Sequence, residues 1–283
     1  MVVELMSLNV GRMFEPIVVE LSPHLLLCFG DPKRDVRAAA KDTARALMSK
    51  LTGHGVKLIL PKLLGCLQED NWRTKQGSVQ MLGSMAFLAP KQLSTCLPMV
   101  VPHLTEVLLD SHAKVQAAGK DALKKVGSVI KNPEIQSMVP TILKALNDPV
   151  THTERCLTKL LNMAFVHVID SPSLALIMPV IERALRERST KVKKKAATII
   201  GNMYSLTSPG DLAPYLDQLV PGLKEALVDP VPEMRAVAAS ALGSLVKGMG
   251  EEKFSQLLPW LLDMLSSDAA TADRAGAAQV RGA

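Results

Sequence analysis

Seven prolines recur along the chain at nearly constant intervals: Pro23, Pro61, Pro102, Pro140, Pro179, Pro221 and Pro259. Their spacings are 38, 41, 38, 39, 42 and 38 residues. The surroundings recur with them. Two residues after each proline stands an apolar residue: Leu25, Leu63, Leu104, Ile142, Ile181, Leu223 and Leu261. Six residues after stands another: Phe29, Leu67, Leu108, Leu146, Leu185, Leu227 and Leu265. Eight residues after comes an acid, Asp31, Glu69, Asp110, Asp148, Glu187 and Asp229, with Ser267 as the exception. A period near 40 residues carrying two helical patterns per unit predicts an array of stacked helix pairs, each contacting only its neighbours. Such an array presents a long surface; it is not built around an enclosed reactive pocket.

The unit Leu219–Met249 shows the pattern most clearly. Leu219, Leu223, Ala226 and Leu227 share one face at helical spacing. Pro221 is expected in the first turn, where a missing N–H costs nothing. Asp229-Pro230 should stop the helix, because a residue before proline is pushed out of the α region. A second helix is expected from Met234, with Ala238, Ala241, Leu242 and Leu245 as its buried stripe. Asp229 can cap that helix or bond to the turn backbone.

Units of this length and content are of the HEAT or armadillo type. The expected fold is all-α: a right-handed α-solenoid of HEAT-type helix pairs with about six complete repeats. Residues 21–255 hold those repeats, residues 1–20 read as the end of a preceding one, and residues 256–283 read as an incomplete repeat with a frayed C-terminus. The links lengthen at Ala89–Leu97 and Thr207–Tyr215, and Val166–Pro172 (VHVIDSP) replaces an ordinary turn. Changes of curvature are expected there.

Six residues after the acid, Arg37, Lys75, Gln116, Glu154, Lys193 and Arg235 occupy one repeat position. Such side chains are expected to reach the acid of a neighbouring unit and form a ladder along the stack.

Composition narrows the function. Thirty-three basic against 27 acidic residues leave a net charge of +6, which permits nucleic-acid contact without demanding it. Cys28, Cys66, Cys96 and Cys156 are scattered, and Cys28 and Cys66 share one repeat position, as small core residues in a reduced compartment would. No uncharged stretch is long enough for a membrane span. The histidines His24, His54, His103, His112, His152 and His167 form no metal-ligand spacing, and no His-Glu pair of the HEAT-type iron hydroxylases occurs. No nucleophile or phosphate-loop signature stands out. Neither a catalytic set nor a cofactor is expected.

The densest charge cluster is Arg183, Arg186, Arg188, Lys191, Lys193, Lys194 and Lys195, interrupted only by Glu182 and Glu187. It straddles the turn between two helices. It could neutralise the phosphates of an RNA or another phosphate backbone, or be a solvated turn with one polar helix face. Lys33, Arg34, Arg37, Lys41 and Arg45 form a weaker group tempered by Asp31, Asp35 and Asp42. Trp72, Arg73 and Lys75 form a third: Trp72 either anchors a partner or covers the end of the core.

Three stretches carry a family resemblance: NWRTKQGSVQMLGSMAFLAPKQLSTCLP (Asn71–Pro98), FVHVIDSPSLALIMPVIERAL (Phe165–Leu185) and LAPYLDQLVPGLKEALVDPVPEMRAVAASALGSLVKGMGE (Leu212–Glu251). They resemble the central HEAT segment of the general amino-acid control activator of the initiation factor 2 kinase, and are similar to the HEAT region of fungal elongation factor 3. The resemblance implies a non-catalytic cytoplasmic scaffold in translational control. The implied partners are the ribosome, an ABC-F type ATPase and, through regions outside this chain, the kinase; neither a membrane nor a small-molecule substrate is implied. A nuclear-transport or phosphatase-assembly array is the rival of the same class, though such arrays usually carry acidic inner faces. A HEAT-fold enzyme, disfavoured for lack of metal-ligand pairs, is the rival of another class.

Overall fold

The computed structural model describes residue 6 and residues 9–266 and 271–280. The chain divides into two compact units, Met1–Lys131 and Asn132–Ala283. The described residues are all-α and contain no sheet; a single isolated bridge joins Ile169 and Thr207.

The first unit contains α1 (Glu15–Leu27), α2 (Arg34–Met48), α3 (Gly53–Gly65), α4 (Trp72–Leu88), α5 (Pro90–Val107) and α6 (Ala113–Gly127). Here α1, α3 and α5 pack side by side in one layer, and α2, α4 and α6 in the other. The second unit contains α7 (Pro133–Asn147), α8 (Pro149–Leu161), α9 (Ser171–Leu185), α10 (Thr190–Leu206), α11 (Leu216–Leu227), α12 (Pro232–Met249), α13 (Leu257–Ser266) and α14 (Thr271–Val280). Neighbours again alternate: α7 packs on α9 and α9 on α11, while α8 packs on α10, α10 on α12 and α12 on α14. This is the helix-pair arrangement of a HEAT array.

The periodic apolar positions form the core. Leu63, Leu104, Ile142, Ile181, Leu223 and Leu261 are buried, as are Phe29, Leu67, Leu108, Leu146, Leu185 and Leu227. The expected stripe Ala238, Ala241, Leu242 and Leu245 is buried in α12. Close packing of the second layer rests on one repeated glycine. A Cβ on Gly83 would stand 3.0 Å from Ala122 Cα, and one on Gly201 would stand 3.1 Å from Ala241 Cα. Both glycines lie 22 residues after their unit's proline, and both alanines 20 after the next.

The prolines lie elsewhere than expected. Pro221 stands inside α11, which begins five residues earlier at Leu216; Pro23, Pro61, Pro102, Pro140 and Pro179 are likewise interior to their helices. Most of them lie on the exposed face, where the lost hydrogen bond and the ring clash open the helix towards water. In α1 the carbonyl freed by Pro23 is that of Val19. It accepts from Ser22 Oγ at 2.8 Å and from Lys62 Nζ of α3 at 2.6 Å.

The acids organise the turns. Asp31 Oδ1 accepts from Lys33 N, Asp110 Oδ1 from His112 N and Asp229 Oδ1 from Val231 N, at 2.7, 2.8 and 2.9 Å. Asp148 caps α8 through Thr151 N. The link expected at Ala89–Leu97 is helical, because Pro90 starts α5 directly after Ala89. The link Thr207–Tyr215 holds a helical turn, Pro209–Leu212, and a 3-10 turn, Ala213–Tyr215. α1 runs unbroken across residue 20, and the last repeat is described only as α13 and α14; residues 267–270 and 281–283 lie outside the described residues. α12 ends at Gly250, whose φ of 89° strains any L side chain.

Candidate functional site

The basic turn between α9 and α10 is held from both sides. Lys191 Nζ lies 2.7 Å from Glu154 Oε1 on α8, and Lys195 Nζ 2.9 Å from the same oxygen. Lys195 also donates to Thr158 Oγ1 at 2.7 Å. In the other direction Lys194 Nζ reaches Glu233 Oε2 of α12 at 2.6 Å, and Lys193 Nζ lies 3.6 Å from Asp229 Oδ2. The paired ammonium groups of Lys191 and Lys195 pull the Glu154 carboxyl down to about 2, and Lys194 lowers that of Glu233. Within α9, burial raises the Glu182 carboxyl against the opposing charge of Arg186. Arg183 Nη1 is buried with no hydrogen-bond partner. Arg186 and Arg188 project from the turn, exposed, and make no ion pair among the described residues.

The ladder position takes two forms. Lys75 and Lys193 reach forward to the acid of the next repeat, Asp110 at 3.0 Å and Asp229 at 3.6 Å. Arg37, Gln116 and Arg235 instead bond to the carbonyl of their own turn's acid, at 2.6, 2.7 and 2.9 Å. Glu154, the acidic variant of the position, receives lysines from the next repeat. In the weaker basic group, Lys41 donates to Gln80 Oε1 at 2.9 Å and Arg45 pairs with Asp42 at 3.3 Å.

Trp72 is half-buried at the start of α4, where Asn71 caps the helix through Arg73 N. Its ring stacks on His112 of the next turn, with centroids 4.1 Å apart and planes 11° from parallel. Arg73 lies over the ring at 4.7 Å and Lys114 at 5.0 Å. Trp72 therefore bridges two repeats and carries two cations on its faces. Asp110 ties the group together, accepting from His112 N and from Lys75 Nζ. Burial pushes its carboxyl up, but these two donors outweigh burial and hold it below its ordinary value.

The VHVIDSP segment is pinned at several points. Ile169 N donates to Leu206 O at 2.7 Å and Thr207 Oγ1 to Ile169 O at 2.9 Å. Asn132, which also caps α7 through Ile135 N, donates to Val168 O at 3.1 Å. Glu134 Oε1 accepts from the backbone N–H of Val166 and faces His167 Nδ1 at 2.8 Å. The His167 hydrogen bond pulls the Glu134 carboxyl down to about 2. Phe165 and Ile169 help line an apolar cavity of about 70 Å³ with Ile177, Ile199 and Met203. Val166 and Val168 point outward, 85% and 68% exposed.

Sequence reading missed one site. Thr141 and Lys144 of α7 and His152, Arg155 and Lys159 of α8 line a single recess of about 80 Å³. The signal was there: positions 152, 155 and 159 fall on one helical face, as do 141 and 144. Division between two helices hides the group from a linear reading.

Among the described residues no group of three or more His, Cys, Asp or Glu could hold a metal ion, and no helix is long and apolar enough to cross a membrane. The cysteines are free; burial pushes the Cys156 thiol up to about 12, which leaves it unreactive.

Two family descriptions match: the EF3 N-terminal HEAT repeat over residues 1–123 and the elongation factor 3/GNC1 HEAT repeat over residues 151–256. The stalled ribosome sensor GCN1 of Homo sapiens is 59% identical over 276 residues, 98% of this chain and 10% of that protein. The chain belongs to the HEAT-repeat family of elongation factor 3 and GCN1. Its likeness to GCN1 extends to the eIF-2-alpha kinase activator GCN1 of Saccharomyces cerevisiae, 48% identical over 97% of this chain and 10% of that one. Elongation factor 3 of Gonapodya prolifera is 33% identical over 84% of this chain and 22% of that one. The chain thus spans about a tenth of the length of the GCN1 relatives it matches.

Proposed function

We propose that this chain is a non-catalytic scaffold segment in translational control, docking on the ribosome within the route that activates the initiation factor 2 kinase. The observation that carries the reading is its 59% identity, over almost its whole length, to a protein named as a stalled ribosome sensor. The yeast relative's name as a kinase activator and the likeness to elongation factor 3 support the same setting. The contribution of such an array is geometric: it raises the effective concentration of partners that share its surface. The setting is cytoplasmic, and an ABC-F type ATPase is the further partner. Arg186 and Arg188 offer the free charge for ribosomal RNA, with Arg183 and Lys191 beside them, while the ion pairs of Lys191, Lys193, Lys194 and Lys195 fix the turn that presents them. Trp72, Arg73 and Lys75 form the secondary contact.

Sucrose-gradient sedimentation with purified ribosomes tests this. The chain should travel with ribosomes at low salt and dissociate as salt rises. Arg186→Glu with Arg188→Glu should weaken the association while the lysine pairs stay intact. Association that ignores both salt and the double charge reversal would remove the basic turn as the contact.

A further inference from the structure

The recess between α7 and α8 is one-sided in charge. Lys144, His152, Arg155 and Lys159 meet there with the Thr141 hydroxyl, which accepts from Lys159 Nζ at 3.4 Å. No carboxylate pairs with Lys144, Arg155 or Lys159 among the described residues. The acid of the intervening turn, Asp148, is engaged as the cap of α8 through Thr151 N. Glu154 sits on another face of α8 and is taken by Lys191 and Lys195. Arg155 and Lys159 stand four residues apart, a like-charge spacing that destabilises a helix by a few tenths of a kcal/mol. Lys191, Lys193, Lys194 and Lys195 are each matched with an acid; Lys144, Arg155 and Lys159 are left unmatched around a hole.

We propose that this recess binds a phosphomonoester, the phosphorylated serine or threonine of a partner polypeptide. A volume of about 80 Å³ holds one tetrahedral oxyanion. Three exposed cations and an imidazole suit a phosphate carrying nearly two negative charges and three acceptor oxygens. The Thr141 hydroxyl supplies a neutral donor to the same group. An RNA strand needs a basic groove that tracks successive phosphates and aromatic platforms for its bases. The recess has neither: no Phe, Tyr or Trp lines it, and the adjoining lysines are spent on Glu154. This site is independent of the ribosome contact proposed above, which uses the turn between α9 and α10.

The test titrates the full chain with N-acetyl-O-phosphoserine N-methylamide, with dimethyl phosphate as the diester probe, followed by NMR of the His152 ring and by phosphorus-31 line shape. The phosphoserine probe should saturate one site and shift the His152 resonances. Arg155→Ala should weaken it roughly tenfold, the loss of about one charge-assisted hydrogen bond. Lys144→Ala with Arg155→Ala should abolish it, and Lys247→Gln, at an exposed lysine of α12, should leave it unchanged. Absence of saturable binding, or equal binding by the Lys144/Arg155 double variant, overturns the proposal. Equal binding of dimethyl phosphate also overturns it, and assigns the recess to a nucleic-acid backbone.

Discussion

Lys195 Nζ and Glu154 Oε1 lie 2.9 Å apart across 41 positions of sequence, and Lys191 reaches the same oxygen at 2.7 Å. The densest run of positive charge in the chain is thus mostly a fastening between repeats. A basic run next to a turn offers a partner only what its own neighbours leave over, which here is Arg186, Arg188 and the exposed flank of Lys191.

Lys75→Met should lower stability by about 1–2 kcal/mol, because Asp110 would keep the His112 N–H but lose its charged donor while only 11% of its side chain is exposed. Urea denaturation followed by circular dichroism checks it. Asp110→Asn should cost no more, since an amide oxygen still accepts from His112.

Glu134 gives a pH dependence with a definite sign. Its carboxyl falls from an ordinary 4.5 to about 2 in the folded chain. A depressed carboxyl contributes its full stability above the unfolded value, and the contribution fades as pH drops from about 4.5 towards 2. Hydrogen exchange should show the Val166 amide losing protection across that window while amides in the middle of α9 hold theirs. Glu134→Gln should flatten the dependence.

Gly201→Val should destabilise by about 1–3 kcal/mol or more, because a Cβ there already presses on the Ala241 backbone 3.1 Å away. Thermal denaturation measures it. The equivalent Gly83→Val should behave alike against Ala122, whereas Gly210→Val, which meets nothing within 4 Å, should be nearly silent.

His112→Ala should remove the stack on Trp72, costing about 0.5–1.5 kcal/mol. In a Trp260→Phe background, the remaining tryptophan emission should shift to longer wavelength as the ring gains water. Unchanged emission would mean the stack does not shield Trp72.

The fold was legible because its period is written in residues that must be buried. Leu104, Ile142 and Leu223 announce a core face whatever their neighbours do. The place of the prolines was not legible, since Pro221 in a first turn and Pro221 inside α11 give the same local pattern; only the packing of Leu216 and Leu219 starts the helix early. The turn acids and the ladder could be read as a position, but not which way each side chain would bend. Lys193 reaches forward while Arg235, with a longer and forked head, folds back on its own turn. The recess at Arg155 escaped because its members come from two helices, and a linear reading sees each as one more solvated cation.

Pro23 and Lys62 show what an interior proline does for a stacked chain. By withholding a donor it leaves the Val19 carbonyl outward-facing, and the ammonium group of the following repeat occupies it. A slip of one residue between these repeats would carry the lysine round its helix and leave that oxygen with the Ser22 hydroxyl alone. The proline therefore acts as a keyway: it penalises every alignment but one, and does so with a bond that is missing.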